Sequence, residues 1–197
     1  MKKYVSVILL IVMVFSIYPT YTVSAKENCN WKKLYGEYLQ ENFSDKKECK
    51  AALIYVDGDE IPEVYVKDPD DICMANEGCW LLSIYKNKVR MSSVPNNSFK
   101  YAPKKNRVYY HQGAGTYIID TTRMEKLERG KVVTLWTSMK DVDPTQLKQP
   151  TLYYINDKQV SKKYYQRYIS KNTSKYKWKT ADKQLKSLNT LEKQLCE

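Results

Sequence analysis

Residues 54–66, IYVDGDEIPEVYV, constrain the fold most, because they join two short apolar runs through a compact polar turn. Asp57-Gly58 is a strong turn signal, and Pro62 lacks the N–H that the interior of a strand must donate. The run AALIYV has the length and composition of a strand covered on both faces, and EVYV continues as a second strand. The segment therefore predicts a strand, a tight turn and a second strand of one sheet.

Further apolar runs are separated by turn residues and predict more hairpins. The turns are Lys86-Asn87-Lys88, Arg129-Gly130 and Asn156-Asp157, and the runs beside them include WLLSIY, VRMSSV, KVVTLWTSM and TLYYI. FKYA and RVYYHQ, on either side of a proline-initiated turn, predict another strand pair. The chain is therefore expected to form an antiparallel sheet of many short strands.

Apolar residues recur at helical spacing in three places. Near the N-terminus they are Trp31, Leu34, Tyr35, Tyr38 and Leu39. Ser161 is a candidate N-cap of a second helix that runs to about residue 170. Its inner face is expected to hold Tyr164, Tyr165, Tyr168 and Ile169. A final helix at about residues 180–195 is predicted from Leu185, Leu188, Leu191 and Leu195.

These elements predict an α+β fold in a single domain. An antiparallel multi-stranded sheet would be framed by an N-terminal helix and C-terminal helices. The helices would cover one face or one edge of that sheet.

The N-terminus has the pattern of a signal peptide. Two lysines precede an apolar run at residues 5–18, which is shorter than the ~20 residues of a membrane span. Val23 and Ala25 are small residues at the −3 and −1 positions of a cleavage site. We therefore predict a signal peptide at residues 1–25, a secreted domain at residues 26–197 and no membrane span after cleavage. An uncleaved N-terminal anchor is the alternative.

The chain is basic, with 33 lysine and arginine residues against 22 aspartate and glutamate residues. Loss of the signal peptide removes two lysines and lowers the net charge from +11 to +9, that is, 31 minus 22. A basic surface attracts anionic polymers. The partners we expect are an anionic cell-wall polymer, a glycan or a protein, and no nucleic acid, because export makes nucleic acid less accessible. A surface that is merely well solvated explains the charge equally well.

All five cysteines lie after the predicted cleavage site, and export permits disulfide bonds. Cys73 and Cys79 bracket a short loop and are predicted to pair, which would stabilise the fold by roughly 2–2.5 kcal/mol in the loop-entropy model. Among Cys29, Cys49 and Cys196, two are free to pair and one is left over. A zinc site is not expected, since no CxxC spacing occurs and the chain has one histidine.

The acidic turn has two interpretations. Asp57, Asp59 and Glu63 alternate as the oxygen ligands of a calcium loop do, although Tyr55 and Glu60 stand where such a loop has a ligand and a glycine. The other interpretation is structural, with the aspartate side chains accepting hydrogen bonds from N–H groups of the turn. We favour the structural interpretation, expect no required cofactor, and keep weak calcium binding as the alternative.

The run LIYVDGDEIPEVYV resembles the ID-x-D-x-D-G-x-PEL segment of a group of exported proteins of Gram-positive bacteria. FKYAPKKNRVYY, MEKLERGKVV and TLYYINDKQVSKKYYQRYI are similar to the same group, so the resemblance touches much of residues 51–170. It implies an extracellular bacterial protein with an α+β fold, and it supplies no mechanism. The departures at Tyr55 and Glu60 weaken the implication of metal binding.

The remaining candidates for a site cluster in HQGAGTY and beside it. His111 is a candidate general base, because its ordinary pKa lies near 6.5. Tyrosine is abundant, with 15 residues after signal cleavage (18 minus three). Tyr109, Tyr110 and Tyr117 are candidate ligand contacts, because a tyrosine has an apolar body and a polar tip. No nucleophile elbow accompanies the histidine, so we predict a secreted, tyrosine-rich, non-enzymatic binding or accessory protein, and as the alternative a calcium-dependent extracellular enzyme or calcium-binding module.

Overall fold

A computed structural model describes residues 30–46, 48–69, 78–95, 99–114, 118–142 and 151–196. Within these ranges the helices are α1 (Trp31–Phe43), α2 (Lys162–Thr173) and α3 (Leu188–Cys196). The strands are β1 (Lys50–Ile54), β2 (Glu63–Lys67), β3 (Cys79–Tyr85), β4 (Lys88–Ser93), β5 (Lys100–Ala102), β6 (Arg107–Ala114), β7 (Ile118–Glu128), β8 (Lys131–Val142), β9 (Leu152–Ile155), β10 (Lys158–Val160), β11 (Lys179–Thr180) and β12 (Lys186–Ser187). Of the helices in these ranges, none combines the length and the apolar character needed to span a bilayer.

The strands form two antiparallel sheets. The smaller sheet has the order β12-β1-β2-β3-β4, and the larger has the order β10-β9-β8-β7-β6-β5-β11. The predicted α+β single domain, with an N-terminal helix and C-terminal helices, is confirmed. The strands nevertheless divide between two sheets, where the sequence pattern was consistent with one.

Two hydrophobic cores lie between three layers of the fold, which are the helices α1 and α3, the small sheet and the large sheet. One core lies between α1, α3 and the small sheet and contains Tyr35, Leu39, Leu82 and Leu191. The other lies between the two sheets and contains Tyr65, Leu81, Phe99 and Val108. Successive residues of a strand point to opposite faces. For this reason Leu81 and Leu82, which are adjacent in β3, belong to different cores.

The helix α2 covers the outer face of the large sheet, which is the face turned away from the small sheet. Its Tyr168 packs edge-on against Trp136 of β8 with ring centroids 5.6 Å apart, and its Tyr165 lies 5.1 Å from Tyr153 of β9. Further along the chain, Trp178 packs on Tyr109 of β6 at 5.3 Å. A layer of aromatic rings therefore fills the space between α2, the segment after it and the sheet.

Three hairpins close through two-residue turns in which both residues have positive φ. They are Lys86-Asn87, Arg129-Gly130 and Asn156-Asp157, with φ between 47° and 73°. Turns of this kind suit the right-handed twist of paired strands. Gly130 also has no room for a side chain, because a Cβ there would lie 2.8 Å from Cβ of Tyr85. The three predicted turns are confirmed.

The C-terminal helix begins later than its leucine spacing predicted. The residues before Leu188 form the short strands β11 and β12 and one 3-10 turn, and Leu185 has an extended backbone. Leu185 packs against the core between the sheets, whereas Leu188 joins the core beneath α1. The leucine spacing was therefore an incorrect guide to a single helix, because the first leucine serves a different layer from the others.

The cysteines of the described residues form no disulfide bond with one another. Cys79 is fully buried, with its sulfur 3.3 Å from the hydroxyl of Tyr65, and Cys196 is exposed. Cys49 is buried in the core under α1. Cys29 and Cys73 lie outside the described residues, so the pairings proposed for them stay predictions.

Candidate functional site

The acidic turn between β1 and β2 is held by its own side chains. Oδ1 of Asp57 accepts a hydrogen bond from the N–H of Asp59 at 2.9 Å, and Oδ1 of Asp59 accepts one from the N–H of Ile61 at 2.8 Å. Both contacts span two residues, the geometry of an Asx-turn. The hydrogen bonds that the structural interpretation predicts for the two aspartates are therefore present.

Glu63 closes the same loop from inside. Its side chain is 4% exposed, and its Oε2 accepts the N–H of Val56 at 2.7 Å. Burial, together with the nearby charges of Asp57 and Asp59, raises the pKa of Glu63 from 4.5 to about 8. At neutral pH this carboxyl group is therefore mostly neutral, and the hydrogen bond from Val56 tethers it without requiring its charge.

The three acids line one small cavity of about 170 Å³ at the junction of the sheets. Ser83 and the Arg129-Gly130 turn form its other side, and the hydroxyl of Ser83 donates to the carbonyl of Gly130 at 2.9 Å. Among the described residues, no group of three or more acidic, histidine or cysteine side chains has the arrangement of a metal site. Calcium binding by this loop stays a prediction.

His111 belongs to a cross-strand polar cluster on the outer face of the large sheet. Its Nδ1 lies 3.2 Å from the hydroxyl oxygen of Thr122, and its Nε2 lies 3.2 Å from Oδ1 of Asp120. Lys140 also approaches Asp120, at 3.9 Å. The Thr122 side chain is 5% exposed and leaves no room for a substrate to reach its hydroxyl. The cluster is therefore better suited to holding β6 and β7 in register than to nucleophilic catalysis.

The candidate tyrosines of β6 separate onto two faces. Tyr110 points into the molecule, is 4% exposed, and donates its hydroxyl to Oε1 of Glu125 at 2.7 Å. Burial raises its pKa above the ordinary range of a tyrosine. Tyr110 is therefore no surface contact, contrary to the expectation for it. Tyr109 is half-buried beneath Trp178 on the outer face, and Tyr117 lies outside the described residues.

A different part of the chain concentrates exposed positive charge. From Lys158 to Ala181 the chain has eight lysine or arginine residues and no aspartate or glutamate. All eight are exposed, and none makes an ion pair with a described residue. These cations begin on β10, at one edge of the large sheet, continue along α2 and end on β11, at the other edge. We call the set the basic face; it consists of Lys158, Lys162, Lys163, Arg167, Lys171, Lys175, Lys177 and Lys179.

Aromatic side chains accompany the basic face. Tyr164 is 53% exposed on α2, and its ring stacks on Tyr168 with centroids 6.1 Å apart and an interplanar angle of 29°. Together with the β9–β10 hairpin, these two tyrosines line an open cavity of about 530 Å³. The structure therefore combines cations and exposed aromatic rings on one segment.

The sequence shows this segment as KKYYQRY and KYKWK, basic runs with interleaved aromatic residues, and KKYYQRY predicts an amphipathic helix whose tyrosines pack and whose lysines are solvated. Periodicity placed Tyr164 on the inner face of the helix, whereas the structure exposes it. Trp136 of β8 packs against Tyr168, but it is distant in sequence, so no local pattern indicates this contact. The absence of any acid from the 24 residues 158–181 is a further sign of this segment in the sequence.

Comparison of the chain with models of protein families, with curated proteins and with solved structures finds no match.

Proposed function

We propose that the protein is a secreted, non-enzymatic binding protein that attaches to an anionic polymer at the bacterial cell surface through the basic face. The observation that carries the proposal is the set of eight exposed cations without ion-pair partners among the described residues. A polymer with repeated negative charges can satisfy such a row, whereas a small anion would meet only part of it.

The arrangement of charge on α2 supports the proposal. Lys163, Arg167 and Lys171 follow one another at i, i+4 and i+8, and like charges at this spacing cost an isolated helix about 0.2–0.5 kcal/mol per pair. The first turn of α2 contains no acid and two lysines, next to the positive end of the helix dipole. An anionic partner would offset both the repulsion between these side chains and their unfavourable interaction with the helix dipole.

The test measures retention on purified cell-wall material at low and high salt. A variant with Lys163→Gln, Arg167→Gln and Lys171→Gln should lose about tenfold or more in affinity at low salt, because each charge contact contributes through counterion release. High salt should release the unmodified protein. The change also removes like-charge repulsion from α2, so unfolding is not expected to confound the result.

The matched control carries Lys50→Gln, Lys88→Gln and Lys193→Gln, which change the net charge equally but lie away from the basic face. This control should bind within about twofold of the unmodified protein, because short-range contacts and not net charge determine attachment. Failure of the unmodified protein to bind wall material at low salt would contradict the proposed function. Equal losses in the two triple variants would contradict the assignment to the basic face.

A calcium-binding role for the acidic turn is the second candidate. It is favoured by the placement of Asp57, Asp59 and Glu63 around one cavity, where a divalent ion would bind the two aspartates and favour the ionised form of Glu63. Millimolar calcium should then raise the thermal midpoint of the protein; saturation at 100 times the dissociation constant stabilises a fold by about 2.7 kcal/mol. Asp57→Ala should abolish the rise. An unchanged midpoint in the presence of calcium would remove this candidate.

A further inference from the structure

We propose that the cavity between the β9–β10 hairpin and the start of α2 binds a sugar unit of an acidic polysaccharide, with the sugar ring lying on Tyr164. The inference rests on the proposed function and names the chemistry of its ligand. The cavity measures about 530 Å³, within the range of roughly 300–1,000 Å³ that is usual for small-ligand sites. We call it the tyrosine cavity.

The first reason is the exposure of Tyr164. This ring is 53% exposed, and the tyrosine cavity is beside it. Aromatic rings usually bury their apolar faces, and an exposed ring next to a cavity is typical of a contact surface. A sugar ring presents a flat face of C–H groups that matches such a ring, together with hydroxyl groups at its edge.

The second reason is that the ring is supported from beneath. Tyr164 stacks on Tyr168, and Tyr168 packs edge-on against Trp136, which is 6% exposed within the layer between α2 and the sheet. This succession of rings restricts the motion of the exposed tyrosine. A contact residue that is already ordered loses less conformational entropy when a ligand binds.

The third reason is the set of polar groups at the cavity. Oδ1 of Asn156 accepts the N–H of Thr137 at 3.0 Å, which fixes the amide and leaves its Nδ2 group without a hydrogen-bond partner among the described residues. Lys158 also lines the cavity and is unpaired within the described part of the chain. The lining contains no carboxylate. The cavity therefore offers hydrogen-bond donors and a positive charge but no carboxylate. This suits a ligand that has hydroxyl oxygens and a negative charge.

The charge around the cavity selects the acidic class of polysaccharide over a neutral one. Lys162 and Lys163 follow directly on the lining residue Ser161, and Arg167 lies one turn further along α2. A polysaccharide that placed one sugar on Tyr164 would carry its neighbouring units along this row. Negative groups on those units would then meet the exposed cations of the basic face.

The experiment compares two polyanions of matched chain length, polygalacturonate and inorganic polyphosphate, on the purified protein. Both carry repeated negative charge, but polygalacturonate alone has sugar rings. Tyr164→Ala should weaken binding of polygalacturonate about tenfold, which corresponds to about 1.4 kcal/mol, and should leave binding of polyphosphate unchanged. Lys158→Gln should weaken binding of both, because it removes charge and no ring.

Tyr55→Ala is the matched control, since Tyr55 is also an exposed tyrosine, at 41%, but lies beside the acidic turn. It should bind both polymers as the unmodified protein does. If Tyr164→Ala weakens binding of both polymers equally, or of neither, the sugar contact is overturned while the proposed function stands. If the unmodified protein binds neither polyanion at low salt, the proposed function itself fails.

Single-stranded DNA is a third probe, because bases also stack on tyrosine. The sugar contact predicts that Tyr164→Ala affects polygalacturonate more than DNA of similar charge. The opposite order would overturn the inference in favour of base stacking.

Discussion

Glu63→Gln should remove most of the pH dependence of stability that the unmodified protein shows between weakly acidic and weakly alkaline pH. The folded chain keeps the proton of Glu63 up to its raised pKa of about 8, whereas the unfolded chain releases it near 4.5. In that window the folded state binds more protons, so the free energy of unfolding falls as the pH rises. The stability is fully present below about 4.5 and is lost as the pH rises through about 8.

The expected size of the effect is large for one side chain. Each unit of pKa corresponds to about 1.4 kcal/mol, so a rise from 4.5 to about 8 implies a loss of the order of 5 kcal/mol. Glutamine resembles the protonated acid in shape, stays neutral, and can accept the N–H of Val56 through its carbonyl oxygen. The variant should therefore be the more stable protein at pH values above the raised pKa.

Glu60→Gln is the control, because Glu60 lies in the same loop but is exposed. Denaturant unfolding over a pH series should give this control the same slope as the unmodified protein, and Glu63→Gln a much flatter one. A Glu63→Gln variant that keeps the full slope would show that Glu63 ionises normally in the folded protein.

Phe99→Ala should lower the free energy of unfolding by about 3–5 kcal/mol, as is typical when a buried aromatic residue is truncated. Phe99 is 1% exposed in the core between the sheets, and its ring stacks on Tyr65 of β2 with centroids 4.9 Å apart and an interplanar angle of 12°. Loss of the ring removes apolar contact area and leaves a cavity that neither sheet can fill without shifting. The effect is expected to be large because this pair joins the two sheets directly.

Two further variants make the prediction specific. Phe99→Leu keeps part of the volume and should cost roughly half as much or less, since a smaller cavity remains. Leu135→Ala removes a side chain that is 39% exposed on β8 and should change the stability by about 0.5 kcal/mol or less. Denaturant unfolding measures all three. A loss below about 1 kcal/mol in Phe99→Ala would contradict the packing of the two sheets through this core.

Local chemistry explains which elements the sequence predicted well. Asn156, Asp157 and Gly130 adopt positive φ at low cost, so the pairs Asn156-Asp157 and Arg129-Gly130 indicate hairpin turns. Asp57 and Asp59 bond to N–H groups two residues away, a contact that needs no distant partner. The side chain of Ser161 likewise accepts the N–H of Tyr164 and caps α2 as predicted.

The site was less predictable because its parts come from separate layers. The sequence placed a binding surface on β6, but Tyr110 turns inward to Glu125 and Tyr109 lies under Trp178. The spacing of apolar residues along a helix does not show how much of the helix surface its packing partner covers. The helix α2 packs on a sheet whose face is already occupied by Trp136 and Tyr153, and Tyr164 is left at the rim.

The sequence by itself determined the turns, the paired strands, the caps and the excess of positive charge, since each depends on residues within a few positions of one another. Only the tertiary structure decided that the strands divide into two sheets, that Leu185 and Leu188 serve different cores, and that Glu63 is almost fully buried. The alternation of apolar and polar residues along a strand or helix distinguishes its two faces. It does not identify which other element covers each face. Burial, and with it the pKa of an acid or the exposure of a tyrosine, is fixed when distant layers pack together.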